Sequence, residues 1–279
     1  MRFQNYPELS KEICGDGPIS LKDRILYLWL NTIRNLRWQG TKLDRELFFA
    51  DRHQKTSSLA SPSRALTEAY LYQHLPGLLP PKHINILDIG CGSGRMAQVL
   101  ADLGYTGTYV GLDIRNRFSF KEVDGLHKEF VQCDVHEFDP KDKKFDLILS
   151  ISALEHIADD ASLIDHLPKM LDSDGIELHF VPAGWALPLY LWHGYRQYTL
   201  RDIATKFGEQ GTRVIGLGGL YSFLLHFFVI TFAEMLLCLQ SRIKIPRVYT
   251  KLLESALKND QKLPFLQAMY VVHRTNHSI

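Results

Sequence analysis

The sequence predicts an α/β fold in which helices cover both faces of a mostly parallel sheet. In the segment 84–100 a short apolar run enters a glycine-rich turn, and apolar residues then recur at helical spacing. A continuous apolar run within 145–157 is typical of a central strand that is covered on both faces. The length of 279 residues is enough for one large α/β domain with additions.

The N-terminal residues 1–61 are expected to form a helical cap on this domain. The segment 20–40 has its apolar residues on one helical face. Ser20 could cap this helix, and Asp23, three residues later, would complete a weak capping box. Three roles stay open for this helix: it packs on the main domain, it forms a lid, or it lies on a membrane surface. Residues 43–61 are polar and are expected to form a loop over the ligand site.

The main domain is predicted to span 62–279. Its first helix is expected to run from Pro62 to about Leu75, since proline is favoured at the first helical position and Ser61 precedes it. The first strand of the domain follows this helix and leads into the glycine-rich turn.

The glycine-rich turn places Gly90, Gly92 and Gly94 at alternate positions. Residues without a Cβ let the backbone turn sharply and let a ligand approach the main chain closely. The free N–H groups at the start of the next helix then face that ligand. This pattern indicates a cofactor loop.

Two kinds of cofactor loop compete for this pattern. A dinucleotide fingerprint needs Gly-x-Gly-x-x-Gly/Ala, beginning where the strand ends. Counted from Gly90, its third position falls on Arg95, a bulky side chain where the helix and the strand must pack closely. Counted from a later start, Gly92, Gly94 and Ala97 fit the pattern, but they begin two residues late.

The carboxylate of Asp88 separates these alternatives, because it lies directly before the glycines. It would repel a pyrophosphate, but it suits a ligand that carries an ammonium group, such as S-adenosylmethionine (SAM). The motif LDIGCGSG (87–94) resembles the glycine-rich motif of the class I SAM-dependent methyltransferases. The resemblance implies a Rossmann-like fold, SAM as the cofactor and S-adenosylhomocysteine (SAH) as its product. The cofactor contacts that it implies in this motif are Asp88, Gly90, Cys91, Gly92 and Gly94.

A second acid follows the next predicted strand, 106–115. Asp113 lies nineteen residues after Gly94, which is the spacing at which such folds place a carboxylate on the ribose hydroxyls. A carboxylate can accept a hydrogen bond from both hydroxyls at once. Asp113 and the adjacent Ile114 therefore belong to the predicted cofactor site.

The resemblance implies further cofactor contacts beside this acid. Asp134, at the end of a third predicted strand (127–139), corresponds to the residue that hydrogen-bonds the adenine amino group. Val135 then packs on the adenine ring. A helix before the first strand commonly covers the cofactor in this family, so Arg52 or Arg64 is a candidate partner for the methionine carboxylate. The alternative for each arginine is an ordinary surface position.

The central apolar run delivers polar residues at its carboxyl end, where open α/β sheets bind ligands. Ser150 is expected on the cofactor side. The following ALEHI motif resembles the branch that includes quinone-biosynthesis and other small-molecule or glycan methyltransferases. Ser152 occupies the position where metal-assisted quinone O-methyltransferases carry an acid, so no metal is expected. His156 is the first candidate for a base that removes a hydroxyl proton, and His193 is the second.

The rest of the chain supplies a fifth and a sixth strand and an aromatic loop. The segment 161–183 reads as a helix, a turn and a strand, and Thr199 caps a helix that leads to a strand at 212–217. The resemblance implies a seven-stranded sheet that closes with an antiparallel strand, here 265–274. The aromatic and basic residues of 185–198 suit a ring-bearing substrate such as a sugar or a phenol, or pack a lid on the core.

A hydrophobic insertion of about 218–262 separates the last two strands. No charged residue occurs from Val214 to Ala233, and a basic segment follows. A helix that is apolar nearly all round is buried or lies in lipid. Three interpretations stay open: a membrane-surface or partner-docking helix, including a homodimer through 220–245, a helix buried on its own domain, and a spanning helix.

The composition argues against a nucleic-acid-binding protein and against one that a zinc cluster or disulfides stabilise. A net charge of +1 gives no basic stripe for nucleic acid, and four cysteines without a CxxC pair support neither a zinc cluster nor a disulfide framework. The first residues lack the apolar core of a signal peptide, which favours a cytoplasmic protein, peripheral on the inner face of a membrane if the insertion docks there.

These observations together predict a SAM-dependent methyltransferase that acts on a hydroxyl of a small-molecule, glycan or lipid-linked acceptor. The alternatives are a non-catalytic SAM-binding protein and an NAD-dependent oxidoreductase.

Overall fold

A single sheet of eight strands organises the part of the chain that the structure describes. The computed structural model describes residues 13–36, 41–50 and 59–275. The strands are β1 (Arg45–Phe48), β2 (His83–Ile89), β3 (Thr106–Asp113), β4 (Leu126–Gln132), β5 (Phe145–Ile151), β6 (Leu171–Pro182), β7 (Thr212–Leu217) and β8 (Met269–Thr275).

Helices cover the two faces of this sheet and extend beyond its edge. The main helices are α1 (Leu21–Leu36), α2 (Pro62–Leu78), α3 (Arg95–Asp102), α4 (Asp160–Met170), α5 (Leu200–Phe207), α6 (Leu220–Leu225), α7 (Ser241–Lys244) and α8 (Pro246–Asn259). A π-helix (His226–Leu236) continues α6, and short 3-10 turns occur at Val135–Glu137 and Leu154–His156.

The strand order is β1-β7-β8-β6-β5-β2-β3-β4. β8 runs antiparallel to its two neighbours, and all other neighbouring strands are parallel. From the centre, β2, β3 and β4 proceed toward one edge, whereas β5 and β6 proceed toward the other. Such a reversal leaves a crevice at the carboxyl ends of the two central strands, β2 and β5. The α/β fold class that the sequence predicts is confirmed.

The sheet has one strand more than expected. β1 pairs in parallel with β7 at the sheet edge, and Glu46 holds Arg213 with two contacts of 3.0 and 2.9 Å. The prediction of a loop over 43–61 is therefore wrong for the residues of β1, while 51–58 lie outside the described residues. Because β1 is part of the main sheet, a boundary at residue 61 does not separate a cap from the domain.

The N-terminal helix α1 begins as predicted, with the Asp23 N–H donating to Ser20 Oγ at 3.1 Å. It packs against the aromatic loop, where the Tyr27 hydroxyl donates to the His193 carbonyl at 2.9 Å. Trp192 Nε1 in turn donates to the Arg24 carbonyl at 3.1 Å. The opposite face of α1 carries exposed apolar side chains: Leu21, Ile25, Trp29 and Leu36.

The hydrophobic insertion is helical, as predicted, and it is tied to the domain at its polar positions. Thr231 of the π-helix donates to the Leu189 carbonyl at 2.8 Å, and the Tyr249 hydroxyl of α8 donates to the Ala60 carbonyl at 2.6 Å. None of the helices within the described residues combines the length and the hydropathy that crossing a membrane requires. The spanning interpretation therefore lacks a helix among these residues.

Between residues 228 and 252 the insertion exposes ten large apolar side chains, called the insertion surface below. Its members are Phe228, Phe232, Met235, Leu236, Leu237, Leu239, Ile243, Ile245, Val248 and Leu252. Exposed apolar sets of this size mark a surface that contacts a partner or a membrane. The interpretation of a fully buried helix is wrong for these positions.

A buried charge cluster fastens α4 to α5 and to the segment before it. The Asp160 carboxylate forms ion pairs with Arg196 and Lys206, and it accepts a hydrogen bond from the Tyr198 hydroxyl at 2.6 Å. Burial, followed by the charge of Arg196, lowers the pKa of Lys206 to about 8. Asp160 is the only carboxylate that these two cations contact in the described part of the chain.

We expect Asp160→Ala to lower the free energy of unfolding by about 3–5 kcal/mol, because two cations are left buried without a counter-charge. Urea unfolding measures this change. Asp165→Ala, at an exposed position of the same helix, is the matched control and should change the value by less than about 0.5 kcal/mol. Equal effects for the two substitutions would contradict the assigned role of the cluster.

Candidate active site

A cavity of about 320 Å³ opens at the carboxyl ends of β2 and β5. Its size falls within the range of small-molecule sites. The glycine-rich turn, the first turns of α2 and the loop after β6 provide its walls. The lining residues are Ser61, Ser63, Arg64, Thr67, Glu68, Asp88, Gly90, Cys91, Gly92, Ser93, Arg95, Met96, Ile151, Ser152, Tyr190 and Met269.

The glycine-rich turn has the conformation that its sequence predicts. Gly90, Gly92 and Gly94 have φ angles of 69°, 54° and 69°, which lie in the left-handed region. A Cβ at Gly90 would lie 2.5 Å from the Ala153 side chain, so that position requires glycine. A Cβ at Gly92 would meet no atom of the described residues within 4 Å, so among these residues Gly92 faces open space in the cavity.

Asp88 lies at the floor of the cavity, and its carboxyl group is almost completely buried. The Tyr109 hydroxyl from the neighbouring strand β3 donates a short hydrogen bond to it. Burial raises the pKa of Asp88 to about 7, with the charge of Asp113 as a smaller cause in the same direction. At neutral pH the cavity therefore holds an acid that a nearby cation would readily ionise.

Asp113 ends β3 beside the glycine-rich turn, as predicted. Its carboxylate accepts the Gly92 N–H and the Arg115 N–H, each at 2.9 Å. Ile114, the next residue, is exposed. The structure thus brings Asp113 to the rim of the cavity without placing it among the lining residues.

The two residues predicted beyond the third strand lie farther along the same edge. β4 ends at Gln132, so Asp134 and Val135 follow the strand instead of ending it. The Asp134 carboxylate caps a 3-10 turn by accepting the His136 N–H at 2.9 Å. Both residues are at the surface beside the carboxyl end of β3 and outside the cavity lining.

Ser150 does not face the cavity, in contrast to the prediction. Its hydroxyl is buried in the sheet and contacts His179 Nδ1 at 2.9 Å. Ser150 pairs with His179 of β6 in the register of the sheet, so the two side chains lie on the same face and contact each other. Ser152 lines the cavity instead, and its φ of 49° is a left-handed conformation that is uncommon for a residue with a Cβ.

Helix α2 forms one wall of the cavity. The sequence predicts Arg64 of this helix as a candidate contact, but not Glu68. Glu68 is buried and accepts hydrogen bonds from Arg95 Nε and Nη2 at 3.0 and 2.6 Å. This pair joins α2 to the first residue of α3, directly after the glycine-rich turn. Arg64 lies at the exposed mouth of the cavity, and Arg52 is outside the described residues.

A buried hydrogen-bond chain links the cavity to the insertion. The Tyr190 hydroxyl donates to Ser63 Oγ at 2.6 Å, and Ser63 Oγ contacts His226 Nδ1 at 2.9 Å. Burial, followed by the charge of Arg242, lowers the pKa of His226 to about 4, so its ring is neutral at neutral pH. The sequence indicates an aromatic loop around Tyr190, but it carries no sign of this chain.

The two predicted catalytic histidines lie together, and one of them contacts Tyr190, which lines the cavity. Their ring centroids are 4.5 Å apart, and the His193 ring stacks on that of Tyr190 at 5.9 Å. His156 Nδ1 forms a short hydrogen bond with the carboxylate of Asp16. Neither histidine is among the lining residues of the cavity, and no pattern in the sequence indicates a role for Asp16.

Comparison with known proteins identifies a family, curated relatives and a similar solved structure. The family described as "Methyltransferase domain" matches residues 61–213. The ubiquinone biosynthesis O-methyltransferase of Actinobacillus pleuropneumoniae serotype 5b (strain L20) is 29% identical over 132 residues, which is 44% of this chain and 54% of that protein. The protein of the same name from Bartonella quintana (strain Toulouse) is 34% identical over 106 residues, 36% of this chain and 41% of that protein.

The chain thus spans about half the length of the curated relatives that it matches. Among solved structures, the plantazolicin methyltransferase BpumL in complex with SAH has a TM-score of 0.52 and 13% identity. The alignment covers 98% of each chain. At this identity the likeness concerns the fold alone.

The burial of Asp88 predicts a pH-dependent stability. A pKa that is raised in the folded state stabilises the fold at low pH, and this stabilisation is lost as the pH rises through about 7. Asp88→Asn has no carboxyl group to ionise, so its stability relative to the wild type should rise by about 2–3 kcal/mol between pH 5 and pH 8. Urea unfolding of both proteins at the two pH values measures this difference.

The comparison between these two proteins also cancels the contribution of Glu155, whose pKa burial raises to about 7 as well. A stability difference that does not change with pH would show that Asp88 ionises as an ordinary exposed acid.

Proposed function

This chain belongs to the family of methyltransferase domains, and we propose that it transfers a methyl group from SAM to a hydroxyl group of a small molecule. The observation that carries the proposal is the cavity itself. A glycine turn with room above Gly92 lies between two acids, Asp88 and Asp113. This arrangement suits a ligand with an ammonium group at one end and a ribose at the other.

The residues around the cavity fit SAM in charge as well as in size. We propose that Asp88 receives the ammonium group, that Cys91 and Gly92 line its path, and that Asp113 accepts from the ribose hydroxyls. Ile114, Asp134 and Val135 lie along the continuation of this edge and would hold the adenine, while Arg64 at the mouth is the candidate for the carboxylate. Gly90 and Gly94 shape the turn.

When bound, SAM supplies a methyl group that its sulfonium already makes electrophilic. The protein then has to hold the acceptor oxygen in line, and positioning of this kind lowers the barrier substantially. Ser152, Tyr190 and Ser63 carry hydroxyl groups at the cavity wall that can orient the acceptor. His156 and His193 are the proposed proton acceptors, because an uncharged imidazole nitrogen can accept a proton and the His193 ring stacks on that of Tyr190, which lines the cavity.

The acceptor is proposed to be a hydroxylated ring compound carried on a lipid. The aromatic loop beside the cavity favours an acceptor that contains a ring. The names of the ubiquinone-biosynthesis relatives agree with such an acceptor. The insertion surface supports the lipid, because exposed Lys244, Arg247 and Lys251 alternate with its apolar side chains. Such a mixture suits a membrane surface with anionic headgroups, where the protein would lie peripherally.

Calorimetric titration of SAM tests the cofactor. We expect one SAM per chain, and we expect Asp113→Ala to weaken binding about 10- to 100-fold, since a hydrogen bond to a charged group contributes about 1.5–3 kcal/mol. Asp142→Ala, at another exposed acid, is the control and should bind SAM as the wild type does. NAD is titrated alongside, and binding of NAD without SAM would replace the proposal with an oxidoreductase.

An assay for transfer of a labelled methyl group from SAM to a simple catechol then tests for catalysis. Methylated catechol would show an enzyme, and SAM binding without transfer would indicate a protein that only binds SAM.

Vesicle sedimentation tests the membrane contact. We expect the wild type to sediment with vesicles that contain phosphatidylglycerol, and the double variant Phe228→Ser/Phe232→Ser to lose most of this binding. Both side chains are about half exposed, so the substitutions leave the core intact. Phe120→Ser is the control, at an exposed phenylalanine beside β4. Unchanged sedimentation of the double variant, or loss of a homodimer in its place, would contradict a membrane role.

A further inference from the structure

Three segments that are far apart in the sequence meet beside the aromatic loop. Asp16 comes from the lead-in to α1, His156 from the 3-10 turn after β5, and His193 from the loop after β6. One carboxylate oxygen and two imidazole nitrogens from these residues all lie within 4.8 Å of one another. We propose that Asp16, His156 and His193 form a site for a divalent transition-metal ion of the zinc type.

The donor set decides the class of ion. Two imidazole nitrogens and one carboxylate oxygen are the usual ligands of Zn²⁺, Co²⁺ and Ni²⁺, whereas Mg²⁺ prefers oxygen ligands alone. With metal–ligand distances of about 2.0–2.2 Å, the ligand atoms of one ion lie about 3–4 Å apart. His193 Nδ1 is 3.8 Å from Asp16 Oδ1, and His156 Nδ1 is in direct contact with Asp16 Oδ2.

The orientation of His156 supplies a second, independent observation. Its Nδ1 atom faces Asp16, while its Nε2 atom lies 4.0 Å from Oε1 of Glu155. Metal-bound histidines almost always donate their other ring N–H to a carboxylate or a carbonyl. Glu155 is fully buried, and its Oε2 atom has no hydrogen-bond partner among the residues that the structure describes. A metal on Nδ1 fixes the proton on Nε2, opposite this carboxylate.

The backbone holds the three ligands in place before any ion binds. The Gly194 N–H donates to Asp16 Oδ1 at 3.1 Å, and the Gly15 N–H donates to the Gly194 carbonyl at 2.8 Å. A Cβ at Gly15 would lie 2.0 Å from the Trp192 carbonyl oxygen, and a Cβ at Gly194 would lie 2.6 Å from the Glu155 carbonyl oxygen. Glycine at both positions lets the lead-in press directly against the loop.

This site differs from the acidic pattern of metal-assisted quinone O-methyltransferases, in which the position of Ser152 carries an acid. Here the carboxylate comes from Asp16, which lies 140 residues before His156. The inference goes beyond the proposed function and replaces one part of it, because imidazole nitrogens that hold an ion cannot also accept the proton of the acceptor hydroxyl. Metal binding can be measured without SAM and without an acceptor.

Titration of the EDTA-treated, dialysed protein with Zn²⁺ and with Co²⁺ tests the site. We expect one ion per chain, visible Co²⁺ absorption, and a rise in melting temperature with Zn²⁺ that Mg²⁺ does not produce. Asp16→Asn and His193→Gln should each weaken binding by at least about tenfold, and Glu155→Gln should also weaken it, as substitutions beside metal ligands do. His166→Gln, at an exposed histidine of α4, should bind as the wild type does.

The melting temperature of each variant in EDTA shows whether it still folds. Gly15→Ala is a second route to the same result, because it displaces the lead-in and leaves all three ligands unchanged. Amide exchange of residues 13–20 should slow when Zn²⁺ is added. A wild type that binds no Zn²⁺, or folded Asp16 and His193 variants that bind it as tightly as the wild type, would overturn the proposal. SAM binding by the same samples separates this outcome from failure of the proposed function.

Discussion

The reversal of strand order between β2 and β5 is the constraint on which the site depends. It separates the carboxyl ends of two buried parallel strands, and the space that results must be lined by whatever follows them. The glycine-rich turn follows β2, and Ser152 with its left-handed backbone follows β5. α2 and the loop after β6 then close the sides. The chemistry of the cavity is thus set by a few residues at the ends of strands.

Much of this arrangement could be predicted because its signals are local. The apolar run before Gly90, the acid at Asp88 and the spacing to Asp113 each lie within a short stretch of sequence. The cap at Ser61 and the helix that it begins are equally local, since a cap contacts its own first turn. The prediction for Ser150 is wrong because its hydroxyl contacts His179, a residue of another strand that lies 29 residues later and that a local motif does not reveal.

The features that sequence reasoning missed are contacts between distant segments. The strand β1 is only four residues long, and it pairs with a strand near the other end of the chain. The Tyr190–Ser63–His226 chain joins three elements, and Asp16 reaches His156 across the lead-in. A polar residue that finds its partner in this way looks like an ordinary surface residue in the sequence. The insertion presents the same problem, because one helix both contributes His226 to the interior and exposes a broad apolar side.

The pairing of β1 with β7 also constrains how the protein is made. During synthesis at about 5–20 residues per second, β1 leaves the ribosome roughly 10–30 s before β7 exists, since about 170 residues separate them. While the centre of the sheet forms, the buried face of α1 therefore lacks the loop after β6, and the edge of β1 lacks β7. We therefore expect the N-terminal segments of this chain to dock late and to expose unpaired groups in that interval.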